Sequence, residues 1–256
     1  MQKSGTIYLV GAGPGPVDLL TLRAARLIEN ARLIVHDGLI GPDILGLARP
    51  DARLVSVAKQ RARHTMPQEE INALLIREAR AGHDVVRLKG GDPFIFGRGG
   101  EEAEDARAAG VPVEIVPGIS AANGAAAASG IALTHRDASS IVSFVAGQCK
   151  GLSEQDWSGL AGKGRTLVIY MGVSTAAAIA DKLMADGLAP DMPVAVIENA
   201  ARPEMRVLRG LLAALPDLVE REAVKSPALI VIGEVTARED IALAAIAQSA
   251  KEQAAQ

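Results

Sequence analysis

A dense run of glycine, aromatic and charged residues at positions 89–102 is the part of the sequence best suited to chemistry. It contains five glycines, two phenylalanines and side chains of both charge signs. An ordinary solvated loop has no need of this mixture. Gly90 and Gly91 allow a ligand to approach the main chain, and the Asp92 carboxylate can accept a hydrogen bond from a hydroxyl or an ammonium group. The run therefore predicts a ligand-binding loop.

The end of the same run carries an arginine and a glutamate three residues apart. If a helix begins by Gly99, Arg98 and Glu101 meet on one face of it, which predicts an oriented guanidinium beside a carboxylate. Glu102 follows in the same turn, where its simplest expected role is a favourable interaction with the helix dipole. The sequence thus predicts a charged pair at the edge of the loop.

A second glycine-rich loop, residues 11–15, follows an apolar run at the start of the chain. With Asp37 after the next strand, it suggests a dinucleotide-binding fingerprint and hence an NAD-dependent oxidoreductase. Pro14 and Pro16 weaken this interpretation because they remove amide donors where a pyrophosphate would need them. A ligand with less phosphate character and a plain tight turn both remain open.

Two further segments could contribute to a site. Residues 116–122 join a strand to a helix through small residues, which fits either a ligand or close helix packing. Residues 134–137 are polar and could be an inter-lobe linker. The four histidines are scattered without paired ligand spacing, so no metal site is predicted.

Composition excludes several classes of protein. The formal charge is −3 and only six residues are aromatic, which argues against nucleic acid as a partner. The single cysteine, Cys149, rules out an intramolecular disulfide and fits a cytoplasmic location. Residues 115–133 lack charge but contain proline and several glycines, so we expect a packed internal helix and no membrane partner.

Short β-branched runs alternate with longer helical patterns along the chain, which predicts an α/β fold. The predicted strands are 6–10, 32–36, 53–57, 84–88, 113–115, 141–145, 166–170, 193–197 and 228–232. The predicted helices are 18–30, 67–81, 100–109, 119–129, 175–185 and 211–221. We expect an N-terminal lobe at residues 1–135, a C-terminal lobe at 136–240, and a helical or frayed tail at 241–256.

The chain resembles the tetrapyrrole methylases, most nearly those that methylate uroporphyrinogen III. The likeness runs in order from residue 6 to about residue 236, and the 86–102 segment is its most specific part. The stretches that carry it are residues 11–15 with 20–22, 86–102, 116–119, 133–137, 168–172 and 227–235.

The resemblance implies a class III methyltransferase fold of two α/β lobes, with the active site in the cleft between them, in a homodimer. It implies S-adenosyl-L-methionine as methyl donor, S-adenosyl-L-homocysteine as product, and no metal. Two successive methylations of uroporphyrinogen III would give precorrin-2 via precorrin-1, for siroheme, cobalamin or heme d1 synthesis.

The same resemblance assigns residues to the site. Arg98 and Glu101 fall at the positions proposed to act at the reacting face of the substrate. The residues carried over to the donor pocket are Pro14, Gly90, Gly91, Asp92, Ile95, Ser120, Ala121, Met171, Ala200 and Ala228.

Two positions depart from the family pattern. Residues 36–39 read His-Asp-Gly-Leu where the family commonly has Tyr-Asp-Arg-Leu. Gly38 therefore replaces one arginine expected near the substrate. Ser120 stands where threonine is more usual, which keeps the hydroxyl.

A densely carboxylated substrate needs converging cations in a nearly neutral chain. We expect Arg63, His64, Lys89 and Arg136 to bind it, with Lys59 and Arg61 as further candidates. Methyl transfer to an electron-rich carbon needs no protein nucleophile, and aligning two reactants can be worth about 7–11 kcal/mol. Arg98 is a poor base, so a substrate carboxylate or water is the expected proton acceptor.

Three alternatives stay open from the sequence. One is a later precorrin C-methyltransferase of cobalamin synthesis. The second is the NAD-dependent oxidoreductase suggested by the first glycine loop. The third is a tetrapyrrole carrier with no catalytic activity.

Overall fold

The chain divides into two compact α/β units. A computed structural model describes residues 4–58, 66–148 and 156–238. The units are Met1–Ala121 and Ala122–Gln256. The predicted lobe boundary after residue 135 lies beyond this division. Arg63, His64, Lys59, Arg61, Cys149 and the predicted tail at 241–256 lie outside the described residues.

The first unit is built on a five-stranded parallel sheet with the order β3-β2-β4-β1-β5. Its strands are β1 (Ile7–Gly11), β2 (Leu33–His36), β3 (Arg53–Ser56), β4 (Val85–Lys89) and β5 (Val113–Val116). Its helices are α1 (Leu22–Asn30), α2 (Pro42–Leu45), α3 (Gln68–Arg80) and α4 (Gly99–Ala108).

Both faces of this sheet are covered by helices, because parallel strands joined by crossovers bury both of their faces. Side chains alternate between the faces. Ile7, Leu9 and Val85 pack with α3 and α4, whereas Val86 and Leu88 pack with α1 and α2. By the same alternation, Arg87 and Lys89 of β4 point to the face that carries α3 and α4.

The first predicted helix is divided in the structure. The sequence predicted one helix over 18–30, but a 3-10 turn at Val17–Leu19 precedes α1, which begins at Leu22. The Thr21 hydroxyl caps α1 by accepting a hydrogen bond from the Ala24 amide at 3.2 Å. This cap fixes the helix start well beyond the first glycine loop.

The second unit is built on a mixed sheet with the order β6-β7-β10-β8-β9. Its strands are β6 (Ser139–Ala146), β7 (Gly164–Tyr170), β8 (Pro193–Glu198), β9 (Arg206–Leu211) and β10 (Ala228–Ile232). Its helices are α5 (Ala121–Ser129), α6 (Ala176–Ala185) and α7 (Leu215–Arg221), and Trp157 is buried in its core.

Strand β9 is absent from the sequence prediction. It lies at the sheet edge and, among the described strands, pairs with β8 alone, antiparallel. Two arginines and Gly210 interrupt its apolar pattern, which is typical of a protected edge strand. The predicted helix at 211–221 is correspondingly shorter, because β9 and a 3-10 turn at Leu212–Ala214 occupy its first residues.

The uncharged stretch at 115–133 forms part of β5 and the nine-residue helix α5. Among the described residues, none of the helices combines the length and the apolar character that crossing a membrane requires.

Candidate functional site

Three of the predicted loops meet at the carboxyl ends of β4, β1 and β5, which are neighbours in the first sheet. The first glycine loop leaves β1, residues 90–92 leave β4, and Gly118 follows β5. We call residues 90–92 the glycine turn. Ligands of parallel α/β sheets bind outside this end of the strands, so the loops occupy the expected place for a site.

Main-chain hydrogen bonds join the first two loops. Gly13 donates its amide to the Gly91 carbonyl at 3.1 Å, and Gly91 donates to the Gly13 carbonyl at 2.8 Å. The Ala12 amide donates to the Lys89 carbonyl at 2.8 Å. These bonds fix the first glycine loop against the glycine turn.

The third loop approaches so closely that no side chain fits between the strands. A Cβ on Gly118 would lie 2.2 Å from the Gly91 carbonyl oxygen, and a Cβ on Gly11 would lie 2.5 Å from the Gly118 nitrogen. Gly91 also has a φ of 68°, which favours glycine. Gly11, Gly91 and Gly118 are therefore required by the packing of the loops themselves.

The Asp92 carboxylate holds the same arrangement together. One oxygen accepts from the Phe94 amide at 2.8 Å and the other accepts from the Gly118 amide at 3.0 Å. Each carboxylate oxygen has a further lone pair, so Asp92 can still accept from a ligand. The side chain thus shapes the glycine turn in addition to the ligand contact that the sequence predicted.

The remaining residues that the sequence predicted for the donor in this unit lie around the glycine turn. Pro14 and Ser120 are buried, and Ile95 is partly buried. A Cβ on Gly91 would contact the Ala121 amide nitrogen at 3.5 Å. The structure therefore brings Pro14, Gly90, Gly91, Asp92, Ile95, Ser120 and Ala121 to one edge of the first sheet.

The oxidoreductase interpretation of the first glycine loop is wrong on two structural grounds. The amides of Ala12 and Gly13 are used by the loop contacts, and Pro14 has none, so few donors remain for a pyrophosphate. In the dinucleotide fold β1 lies beside β2, whereas here β4 separates them. Asp37 therefore lies beside β4 and not beside the first glycine loop.

Arg98 and Glu101 form the predicted pair, because α4 begins at Gly99. The Arg98 Nε donates to Glu101 Oε1 at 2.8 Å, and Nη2 donates to Oε2 at 2.6 Å. This hydrogen bond lowers the pKa of Glu101 and raises that of Arg98. Both side chains are more than half exposed, and Arg98 has a positive φ of 58°. We call Arg98 and Glu101 the surface pair.

Beside it lies a buried group of charges that the sequence analysis missed, the buried ion cluster of Arg87, Lys89, Glu102 and Asp37. Glu102 Oε1 accepts from Arg87 Nε and from Lys89 Nζ, both at 3.0 Å. Arg87 Nη2 donates to Asp37 Oδ1 at 2.6 Å. The side chains of Arg87, Lys89 and Glu102 are at most 3% exposed, and only Asp37 reaches the surface.

The expectation for Glu102 is corrected by this cluster. Glu102 lies in the first turn of α4, but its carboxylate binds two buried cations and Gln68 Nε2 at 3.1 Å. All three donors reach Oε1, while the buried Oε2 has no partner among the described residues. An unsatisfied buried acceptor typically costs about 1–3 kcal/mol. One signal was available: two cations at i and i+2 in an apolar strand share a face and need a partner.

Lys89 has a different place from the one predicted. Its ammonium lies beneath the edge of the sheet, 3.0 Å from Glu102, and is not directed to solvent. Burial, and then the charge of Arg87, lower its pKa, while Glu102 and Asp37 oppose this shift. We therefore do not retain Lys89 as a substrate ligand.

A family model for Tetrapyrrole (Corrin/Porphyrin) Methylases matches residues 6–216. The chain belongs to this family. The α/β fold predicted for a tetrapyrrole methylase is thereby confirmed.

Solved structures of the family are similar over most of the chain. A uroporphyrin-III C-methyltransferase of Thermus thermophilus complexed with S-adenyl homocysteine is 40% identical, with a TM-score of 0.77, over 90% of this chain and 93% of that one. A cobalt precorrin-4 methyltransferase is 25% identical, with a TM-score of 0.79, over 90% of this chain and 95% of that one.

Curated relatives include longer proteins. The siroheme synthase of Gluconacetobacter diazotrophicus is 53% identical over 91% of this chain and 50% of its own length. That of Tolumonas auensis is 52% identical over 92% of this chain and 50% of its own length. This tetrapyrrole methylase chain spans about half the length of the curated relatives it matches.

In the second unit, three residues predicted for the donor lie at the same end of three neighbouring strands. Met171 follows β7, Ala200 follows β8, and Ala228 begins the antiparallel strand β10 between them. Met171 has a φ of 56° and is 46% exposed. Their contact with the donor stays a prediction.

Of the other substrate candidates, the structure describes Arg136 alone. Arg136 is exposed in a turn of the second unit, where the amide and carbonyl of His135 pair with Ser139. Arg63 and His64 lie outside the described residues. Within residues 4–58, 66–148 and 156–238, no cluster of three or more metal-binding side chains occurs.

Proposed function

We propose that this chain transfers methyl groups from S-adenosyl-L-methionine to two ring carbons of uroporphyrinogen III, giving precorrin-2 via precorrin-1. The observation that carries the proposal is the convergence of three loops on the glycine turn, with the surface pair beginning six residues after it in the same loop. The likeness to the Thermus thermophilus enzyme, complexed with S-adenyl homocysteine, supports the same donor.

The chemistry of the glycine turn fits this donor. Bound S-adenosyl-L-methionine would supply a methyl group on a positively charged sulfur. At the turn, Asp92 supplies a carboxylate, and Lys89, the residue just before the turn, is already paired with Glu102. This local charge favours a cationic ligand over a phosphate. Main-chain groups of the turn and the Ser120 hydroxyl would hold the polar parts of the donor.

The surface pair is proposed to act on the substrate. Glu101 fixes the Arg98 guanidinium through two parallel hydrogen bonds, and the exposed face of Arg98 can bind a substrate carboxylate. Neither member suits proton removal, because the pKa of Arg98 is raised and that of Glu101 is lowered by their hydrogen bond. The proton released after methylation would go to a substrate carboxylate or to water.

A later precorrin C-methyltransferase is the alternative. The two TM-scores, 0.77 and 0.79, do not separate the activities, but the identities of 40% and 25% favour uroporphyrinogen III. The oriented surface pair, together with the loops that converge on the glycine turn, also favours an enzyme over a carrier.

We further propose that the chain forms a homodimer and that it lies in the cytoplasm. The family resemblance supports the homodimer, and the single cysteine fits the cytoplasmic location.

The test is incubation of the chain with S-adenosyl-L-methionine and uroporphyrinogen III under reducing conditions, followed by mass analysis of the products. We expect the mass of two added methyl groups, with a one-methyl species at early times. Methylation of a precorrin substrate only would favour the later enzyme. Binding without transfer would favour a carrier.

A further inference from the structure

The buried ion cluster lies between the two parts of the site that the proposed function uses. Lys89 is the residue immediately before the glycine turn, and Glu102 is the residue immediately after the surface pair. Their side chains are joined at 3.0 Å. One ion pair therefore connects the end of β4, where the donor is proposed to bind, to the start of α4, where the substrate is proposed to bind.

The cluster reaches two further elements, α3 and the end of β2. Gln68 of α3 donates to Glu102 at 3.1 Å and to Asn72 at 2.8 Å, and Asn72 donates to Asp105 of α4 at 2.6 Å. Arg87 continues the cluster to Asp37 after β2. The start of α4 is thus fixed to β2, β4 and α3 by directional bonds, which specify one position more sharply than apolar contacts do.

Stability alone gives no reason for such a cluster. Replacing a buried ion pair with apolar residues of similar volume is often neutral or stabilising. The neighbouring β4 residues Val85, Val86 and Leu88 are apolar and fully packed. Charged residues occur in β4 only at its carboxyl half, toward the candidate site.

We propose that Glu102 is a positioning residue for the transfer reaction, fixing the distance between the glycine turn and the surface pair through Lys89 and Arg87. This inference rests on the proposed function and deepens it. Glu102 would touch neither reactant. Its contribution would be to the alignment of the two, which governs the rate of the chemical step more than the binding of either reactant.

The test compares Glu102→Gln with Glu78→Gln. Glu78 of α3 is also a buried carboxylate, and it pairs with His83 at 3.1 Å and with Arg53 at 2.5 Å. It lies by the amino ends of β3 and β4, away from the glycine turn. The control therefore removes an equivalent charge without touching the proposed alignment.

For Glu102→Gln we expect kcat to fall about 10- to 100-fold, with KM for both reactants and the Kd of S-adenosyl-L-homocysteine changing less than about threefold. For Glu78→Gln we expect a lower Tm and an unchanged kcat. An unchanged kcat in Glu102→Gln, or an equal fall in both variants when each is fully folded, would overturn the inference.

A pH profile adds a readout that a merely structural role would not change. The charged groups facing Lys89 are Arg87 on β4, Glu102 on α4 and Asp37 after β2, and Glu101 on α4 also interacts with its charge. Glu102 raises the pKa of Lys89, whereas burial and the charge of Arg87 lower it. Removing the negative charge of Glu102 therefore lowers the pKa of Lys89 further. Lys89 then loses its proton at a lower pH, and the alkaline limb of kcat is expected to move down in Glu102→Gln. An alkaline limb in the wild-type position would contradict a role through Lys89.

Glu102→Asp completes the design. It keeps the charge but shortens the side chain by one methylene group, so we expect a reduced kcat with the alkaline limb at its wild-type position. If Glu102→Gln does not fold, this variant carries the test, and a wild-type kcat would overturn the inference. Turnover by the wild-type chain reports on the proposed function, whereas the ratio of variant to wild type reports on Glu102.

Discussion

Glu101 and Glu102 are neighbours on α4 and each binds an arginine, but their surroundings are opposite. The surface pair of Glu101 and Arg98 is more than half exposed on both sides. The pair of Glu102 and Arg87 is at most 2% exposed. The same two side-chain types thus meet in water on one side of the helix and in the protein interior on the other.

This difference indicates different contributions. Exposed ion pairs typically add only about 0–1 kcal/mol to stability. The surface pair could therefore bind a ligand with little loss of folding stability. Breaking a buried pair by removing one partner typically costs about 3–5 kcal/mol, because the other charge is left without compensation. Removing one member of the buried pair is therefore expected to cost more stability than removing one member of the surface pair, in addition to the positioning role proposed for Glu102.

The largest expected effect separates the two glutamates by stability. Glu102→Ala should lower the free energy of unfolding by about 3–5 kcal/mol, because Arg87 and Lys89 are left buried without their carboxylate. Glu101→Ala should lower it by less than about 1 kcal/mol. Denaturant unfolding of both variants measures the contrast, and equal losses would show that burial does not distinguish the pairs.

A change in the surface pair should lower turnover without lowering stability. Arg98→Ala is expected to reduce kcat about 100-fold by removing the oriented guanidinium, with the free energy of unfolding and the Kd of S-adenosyl-L-homocysteine nearly unchanged. Arg107→Ala, at an exposed position in the last turn of α4, is the matched control. Unchanged turnover in Arg98→Ala would remove this residue from the mechanism.

The packing of the three loops against one another can be disrupted without changing either ion pair. Gly118→Ala places a Cβ 2.2 Å from the Gly91 carbonyl oxygen, so the third loop must move. We expect a loss of about 1–3 kcal/mol in stability, together with weaker S-adenosyl-L-homocysteine binding, measured by calorimetry. Gly100→Ala has no atom within 4 Å of the new Cβ and serves as the control. Equal binding by the two variants would show that the loop contact is dispensable.

The smallest effect is the pH dependence of the surface pair. The hydrogen bond from Arg98 lowers the pKa of Glu101. The stability from the pair is therefore fully present above the unfolded Glu pKa of about 4.3 and is lost as the pH falls through the lower folded value. Glu101→Gln should be less stable than wild type by at most about 1 kcal/mol near neutral pH. A difference that persists after Glu101 is protonated would have another origin.

Most of the first sheet could be predicted from the sequence because its strands are short apolar runs between recognisable turns. The predicted meeting of Arg98 with Glu101 was confirmed because it needs only a helix start at Gly99. Two residues three positions apart on a helix are neighbours, so the local sequence was enough to predict this contact.

The parts that could not be predicted depend on contacts distant in sequence. Glu102 meets Gln68 across 34 residues and Arg87 meets Asp37 across 50. The insertion of β4 between β2 and β1 decides which loop Asp37 faces, and no local pattern specifies the strand order. Strand β9 was missed because an edge strand tolerates the charges that its pattern contains.

The methyl donor is proposed to bind at the glycine turn of the first unit. A crystal structure of the chain with S-adenosyl-L-homocysteine tests it most directly. We predict the ligand against Gly90, Gly91 and Asp92, with its sulfur directed toward the side of the site that carries Arg98. A ligand bound elsewhere, with the glycine turn empty, would contradict this position of the donor.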